Sequence, residues 1–347
     1  MKQIIITLLI SILSAQLMMA QTALDKSNPD HVEISIPKSV YSLYNSGAIG
    51  RDPRDGISYQ RSRNNIELYP VHTDAMKYAG IPQGELLKGT FKSSSVYPGV
   101  SYEYAVYVPA QYDGSNPANL IVFQDGGSYI SAEADVDAPT VLDNLIARKD
   151  IPVTIALFIW PGDIGPGLPI YGGSGNRSIE YDSVDDLYAR FLIDELIPET
   201  LSDYQLSQNP ADNCIYGVSS SANSALAVAW HRNDRFGCVI SCTGSFVNIR
   251  GGHIWPFAIR SHEKKQMKIF MTVGEIDLDI IFGDWLTANR DVRKALEYKE
   301  YDYMYVEHKS GHTGKVMRQL LPGVLRWMWN DVKFNPENCI VTFSENK

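Results

Sequence analysis

Cysteine is scarce in this chain: Cys214, Cys238, Cys242 and Cys339 are the only four in 347 residues. Their spacing matches neither a disulfide scaffold nor a zinc site. Cys214, Cys238 and Cys242 fall in or beside apolar runs, where a buried free thiol is the expected state. A Cys214–Cys238 bridge between neighbouring strands is the alternative. Positive charge is also in short supply, with 31 Lys and Arg against 40 Asp and Glu and a net charge of −9. An acidic surface repels phosphate backbones, which argues against nucleic acid as a partner. There is no heptad run and no internal repeat. Beyond the first twenty residues, no segment is long and apolar enough to cross a bilayer.

Those first twenty residues are of a different kind. Lys2 precedes the apolar run Ile4–Leu13, and Ala20 closes the segment. A basic start, a short apolar core and a small final residue describe a secretory signal peptide. The run is short for a membrane anchor and is broken by Ser11, Ser14 and Gln16. Cleavage after Ala20 is expected to release a periplasmic or extracellular chain, one unit more negative for the loss of Lys2. Residues 21–80 are polar and rich in Asn-Pro, Asp-Pro and Asp-Gly breakers, so they read as an N-terminal extension that packs on the main domain or stays loose. Residues 336–347 read as a tail.

Between them, residues 81–335 alternate strands and helices. Strands are expected at Tyr102–Val108, Leu120–Phe123, Val153–Trp160, Cys214–Tyr216, Cys238–Ser241, Lys268–Val273 and Tyr301–Val306. Helical patterns fall at Thr140–Arg148, Asp182–Leu201, Asp291–Tyr298 and Val316–Trp329. A glycine- and proline-rich loop spans 162–177. Most strands lack polar alternation, which predicts an α/β domain: a mainly parallel central sheet with helices on both faces.

The chemistry concentrates at residues 213–230. An apolar run enters Gly217-Val218-Ser219-Ser220-Ser221, and an alanine-rich helical stretch leaves it. Strand, tight turn and helix in that order make a nucleophile elbow, in which small residues must flank the nucleophile. Only the Ser219 register puts glycine on the strand side; Ser220 and Ser221 are the alternatives. Serine needs a base, and the base needs an orienting group. His312, in Ser310-Gly311-His312 after the last strand, is the candidate base, and His308 is its rival. The candidate acid is Asp277 in Gly274-Glu275-Ile276-Asp277-Leu278-Asp279, where chain order leaves Glu275 and Asp279 open. For the oxyanion hole, two amides must converge. The candidates are Ser220 and, in Asp125-Gly126-Gly127, Gly127 ahead of Gly126.

These ordered pieces resemble the esterase family that includes enterochelin esterases, feruloyl esterases and related carbohydrate esterases. The resemblance spans about Gly84 to Asp331. It rests on Val122–Gly126, Arg177–Asp182 with Tyr188–Phe191, Gly217–Ser220, Gly244-Ser245-Phe246, Arg250–His253, Gly274–Asp279 and Gly311-His312. Where the family commonly carries two glycines after the elbow, this chain has Ser221 and Ala222. The resemblance implies an α/β-hydrolase fold and metal-free, cofactor-free ester hydrolysis through an acyl-enzyme, and it supports Ser219, Asp277 and His312 as the triad. The substrates it implies are small-molecule or carbohydrate esters, with a siderophore trilactone as the alternative. It also marks Arg177, Glu180 and Tyr181 as candidate substrate contacts, unless Arg177 and Glu180 merely pair to brace the loop. Trp255 and Trp285 are candidate sugar platforms or core residues, and His253 is a further candidate contact. A non-catalytic binding protein on the same fold is the reading from outside enzymology.

Overall fold

The computed structural model describes residues 53–66, 69–93, 95–163 and 176–339. The expected signal peptide, most of the extension, residues 164–175 of the glycine- and proline-rich loop and the end of the tail lie outside the described residues.

Eight strands form one sheet: β1 (Glu85–Lys92), β2 (Ser101–Val108), β3 (Asn119–Gln124), β4 (Thr154–Ile159), β5 (Asn213–Val218), β6 (Cys238–Cys242), β7 (Lys268–Gly274) and β10 (Asp302–His308). Their spatial order is β1-β2-β4-β3-β5-β6-β7-β10. The pairs from β4 to β10 are parallel, and β2 pairs antiparallel with both β1 and β4. A two-residue hairpin, β8 (Asp279–Ile280) with β9 (Gly283–Asp284), follows β7. Every residue of β3, β4 and β6 is buried, as covering on both faces requires. β1 was not foreseen. It is an edge strand with Glu85, Lys88 and Lys92 along it and no fully buried position. Charge suits an exposed edge but erases the apolar signal by which strands are read.

The helices are α1 (Pro53–Asn64), α2 (Ala138–Ala147), α3 (Arg177–Asp182), α4 (Leu187–Arg190, continued by the π-helical Phe191–Leu196 and by Ile197–Thr200), α5 (Ser220–His231), α6 (Trp255–Ser261), α7 (Trp285–Tyr298) and α8 (Met317–Asn330). Successive side chains of a strand point to opposite faces. Leu120 and Val122 of β3 accordingly join a core with α4, α5 and α7, while Ile121 and Phe123 join another with α2 and α8. The expected mainly parallel sheet with helices on both faces is what forms. The helix foreseen at Asp182–Leu201 is instead two, broken where Ser183 is extended. α7 begins earlier than its apolar pattern, because Asp284 caps it by accepting from Thr287 N at 2.6 Å.

The described part of the extension packs on the domain. Asp74 is gripped by Arg148 and by Arg326, the latter at 2.7 Å. Cys214 and Cys238 face each other across β5 and β6 as buried free thiols, and Cys242 is also buried and free. Burial pushes the Cys238 and Cys242 thiols up to about 12. Among the described residues, no helix is long and apolar enough to cross a membrane.

Candidate active site

The turn from β5 to α5 is tight enough to dictate its residues. A Cβ on Gly217 would meet the Ser221 carbonyl oxygen at 2.1 Å, so only glycine fits. Ser219 has φ 63 and ψ −122, a backbone that non-glycine residues adopt at a cost of roughly 1–3 kcal/mol. Neighbouring strands hold it there: Ser219 N donates to Cys242 O at 2.9 Å, and Ser245 N donates to Ser219 O at 3.0 Å. Ser221 closes the elbow from within. Its Oγ accepts from Val218 N and donates to Val218 O, both at 2.8 Å. Of the three serines, Ser219 is the one presented and Ser221 is a staple.

His312 stands over Ser219. Its Nε2 lies 2.9 Å from Ser219 Oγ, and its Nδ1 lies 2.6 Å from Asp277 Oδ1. The loops that carry them are bonded to each other, Glu275 N to His308 O at 2.8 Å and Ile276 N to Ser310 O at 3.0 Å. Gly274 permits this close approach, since a Cβ there would meet Ser310 O at 2.3 Å. Asp277 is buried, while Glu275 and Asp279 are exposed, so only Asp277 reaches the ring. Burial pushes the Asp277 carboxyl up. The His312 ring, the Thr243 hydroxyl and Leu278 N more than offset that, and the carboxyl is held below its ordinary value. Leu278 N donates to Asp277 Oδ1 at 2.7 Å, and Thr243 Oγ1 donates to Oδ2. Both of its oxygens face donors, three in all, which favours the ionised form of a buried carboxylate.

Two residues at this site escaped the sequence reading. Thr243 turns its hydroxyl toward Asp277 from a backbone with φ 48, just past β6. Ser245 Oγ lies 3.2 Å from Ser219 Oγ and accepts from Trp285 Nε1 at 3.2 Å. Indole N–H can only donate, so the Ser245 proton is free to point at Ser219. The segment Gly244-Ser245-Phe246 carried the signal for Ser245; nothing local marked Thr243.

The rival base, His308, is instead a core residue. It is buried at the end of β10, with Nδ1 3.2 Å from the Tyr69 hydroxyl and no partner for Nε2. Burial lowers its pKa to about 4, against a smaller pull upward from Asp277. The folded chain therefore holds His308 neutral where an unfolded chain would protonate it. This contribution is complete above pH 6.5 and is lost as pH falls through about 4. Urea titrations at pH 7 and pH 4 should show the wild type losing about 3 kcal/mol more stability than His308→Gln. Equal losses would mean that His308 is protonated without penalty.

A cleft of about 460 Å³ opens on Ser219, His312 and Trp285. Its other walls include Tyr59, Tyr129, Val218, Ile249 and Leu278. A second cleft of about 540 Å³ adjoins it, sharing Asp125, Ser128 and Arg177, and is lined also by Gly127, Trp160, Glu103 and Asp163. Arg177 sits at the junction, bound bidentately to Asp125 at 2.8 and 2.7 Å. Burial alone would lower its pKa, but the Asp125 carboxylate holds it above the ordinary value.

The remaining candidates divide. Ser220 opens α5 and lines the catalytic cleft, with its amide among those that lack an intrahelical partner. Gly127 lines the adjoining cleft in the turn Gly126–Tyr129. Glu180 does not pair with Arg177. It is buried and accepts from Tyr102 Oη at 2.8 Å and from Gly162 N at 3.2 Å, bracing the loop. Tyr181 is fully buried beneath the Arg177 guanidinium. Trp255 is buried against Trp230 and donates to Asn223 Oδ1 at 2.7 Å, so it is core and no sugar platform. Trp285 is buried too, yet reaches the cleft with its ring edge-on to His312. His253 is exposed and lines neither cleft. Among the described residues no group of His, Cys, Asp and Glu is arranged to hold a metal ion.

A family model described as "Putative esterase" matches residues 95–328. No curated protein matches the chain in sequence. Among solved structures, the chain is similar to the enterobactin esterase of Shigella flexneri, at 20% identity and a TM-score of 0.58, over 76% of this chain and 64% of that one. This chain thus spans less than two thirds of that enzyme's length. It is also similar to a ferulic acid esterase, at 15% identity and a TM-score of 0.56, over 72% of this chain and 99% of that one. A third similar structure is the CE1 ferulic acid esterase of the anaerobic fungus Anaeromyces mucronatus, at 16% identity and a TM-score of 0.58, over 76% and 96% of the two chains. At such identities the likeness is one of fold, and the fold is that of the α/β-hydrolase esterases.

Proposed function

Because the chain belongs to this esterase family, we propose that it cleaves carboxylic esters as a serine hydrolase, with Ser219 as nucleophile, His312 as general base and Asp277 as the orienting acid. The observation that carries this reading is the unbroken hydrogen-bonded run from Asp277 through His312 to Ser219, opening on a cleft. Ser219 Oγ attacks the ester carbonyl carbon while His312 Nε2 takes its proton. The Asp277 carboxylate holds the proton on Nδ1 and stabilises the imidazolium that forms. Amides of Ser220 and Gly127 receive the negative oxygen. His312 then gives its proton to the departing alcohol, leaving an acyl group on Ser219. Water attacks that acyl group with His312 again as base, His312 passes the proton to Ser219 Oγ as the acyl bond breaks, and the acid leaves.

The acyl group we assign is phenolic, of the feruloyl type, borne on a carbohydrate. Tyr59, Tyr129, Trp285 and Leu278 give the catalytic cleft, which is otherwise polar, rings and an apolar wall for a flat phenolic group to lie against. Glu103, Asp163 and Trp160 give the adjoining cleft the acceptors and the ring that a sugar engages. The signal-like residues 1–20 support a site of action outside the cytoplasm.

The test is incubation with methyl ferulate, methyl acetate and a feruloylated oligosaccharide, followed by mass spectrometry of the quenched protein. The expected result is faster turnover of the feruloyl esters than of acetate, with a transient acyl adduct on the peptide bearing Ser219. Turnover with no serine adduct, or an adduct on Ser220 or Ser221, would overturn the assignment. Preference for acetate would overturn the phenolic pocket.

A further inference from the structure

α1 has an unusual composition for a helix. Its sequence, Pro-Arg-Asp-Gly-Ile-Ser-Tyr-Gln-Arg-Ser-Arg-Asn, has no apolar stripe. Its buried side chains are polar: Asp55, Ser58 and Ser62. The spacings of three and four residues put them on one face. That face meets the two loops of the triad. Ser58 Oγ accepts from Asp279 N at 2.8 Å, and Asp55 Oδ1 accepts from Ile281 N at 3.1 Å, docking the helix on the chain beyond Asp277. At the other end of the helix, Ser62 Oγ accepts from His312 N at 2.6 Å. Asn65 O accepts from Gly311 N at 2.8 Å and from Ser310 Oγ at 3.1 Å. The backbones nearly touch there, since a Cβ on Gly311 would lie 1.8 Å from Ser62 O.

The helix lies outside residues 95–328 that the family model matches. We infer that Ser62 is a positioning residue for His312, supplied to the active site by the N-terminal extension. The inference rests on His312 being the general base. Without the Ser62 hydroxyl, the His312 amide loses its acceptor in a buried place, and the loop that aims the imidazole at Ser219 loses its nearest tie. A base must stay within hydrogen-bond reach of the proton it takes. A loosened loop therefore lowers the rate of the chemical step and leaves substrate binding alone.

The experiment compares Ser62→Ala with Ser58→Ala in the full chain. Both remove one buried serine hydroxyl that accepts from a backbone amide, but only Ser62 bonds to His312. Ser62→Ala is expected to lower kcat on p-nitrophenyl acetate about tenfold per phosphonate-titrated site, with KM unchanged. It should also broaden or remove the low-field NMR resonance of the His312 Nδ1 proton. Ser58→Ala is expected to keep kcat within about twofold, and to keep that resonance. Equal effects of the two variants, or a wild-type rate and resonance in Ser62→Ala, would overturn the inference. A wild type that neither turned over ester nor took up phosphonate would refute the hydrolase reading instead. The resonance comparison would then still decide the role of Ser62.

Discussion

Ser219→Ala is expected to lower kcat on any ester the protein accepts by roughly 10⁶-fold, the size of loss seen when a serine nucleophile is removed from such a triad. The loss is that large because no neighbour can replace the hydroxyl. Ser221 Oγ is committed to Val218 on both its donor and acceptor sides. Ser245 Oγ is anchored by Trp285 Nε1, while His312 Nε2 is bonded to Ser219. Alanine tolerates the φ 63 backbone no better than serine, so the elbow strain stays and stability should change by less than about 1 kcal/mol. Steady-state hydrolysis, urea titration and labelling with a fluorophosphonate test the three parts separately. Full activity in a folded Ser219→Ala protein would place the nucleophile elsewhere in the cleft.

Asp277→Asn is the second large effect, with an expected fall in kcat of about 10⁴-fold. The side chain keeps its shape and its burial, so the fold should hold. What changes is the proton. Ionised Asp277 accepts from His312 Nδ1, Thr243 Oγ1 and Leu278 N together. With the amide oxygen on the Thr243 side, the NH2 takes the Oδ1 place and faces both Leu278 N and His312 Nδ1. That donor forces the proton of the neutral ring onto Nε2, where it points at Ser219 and blocks proton transfer. The substitution should therefore leave KM nearly unchanged while kcat collapses. A fluorophosphonate, which needs the same activated serine, should label the variant at a similarly reduced rate. A variant that kept more than about a tenth of wild-type kcat would show that the buried carboxylate does not set the ring's tautomer.

Much of this site is legible without coordinates. Gly217 and Ser219 are recognisable because the elbow excludes large residues by local sterics, and local sterics leave a local signature. The order of nucleophile, acid and base follows from the succession of strands in a parallel sheet. His312 and Asp277 are accordingly legible as candidates, but chain order cannot separate Asp277 from Glu275 and Asp279. Trp255, Tyr181 and Glu180 show the limit. Each reads as a candidate contact from its place in the chain, but orientation separates a buried brace from a ligand contact, and one-dimensional spacing carries no orientation. β1 and α1 were missed because one is a charged edge and the other docks through hydroxyl and carboxylate groups, so neither shows apolar periodicity.

The sequence by itself determined the alternation of buried strands and helices, the elbow and its candidate nucleophile, and the loops that hold the candidate acid and base. These depend on residue size and polarity within short windows. Only the tertiary structure decided which carboxylate meets His312, that Thr243 and Ser245 join it, that His308 is buried and neutral, and that a polar helix from the extension holds the His312 loop. Each of these is a contact between residues 26 to 250 positions apart. Hydrogen bonds across such separations are fixed by the packing of the sheet and leave no periodic trace along the chain.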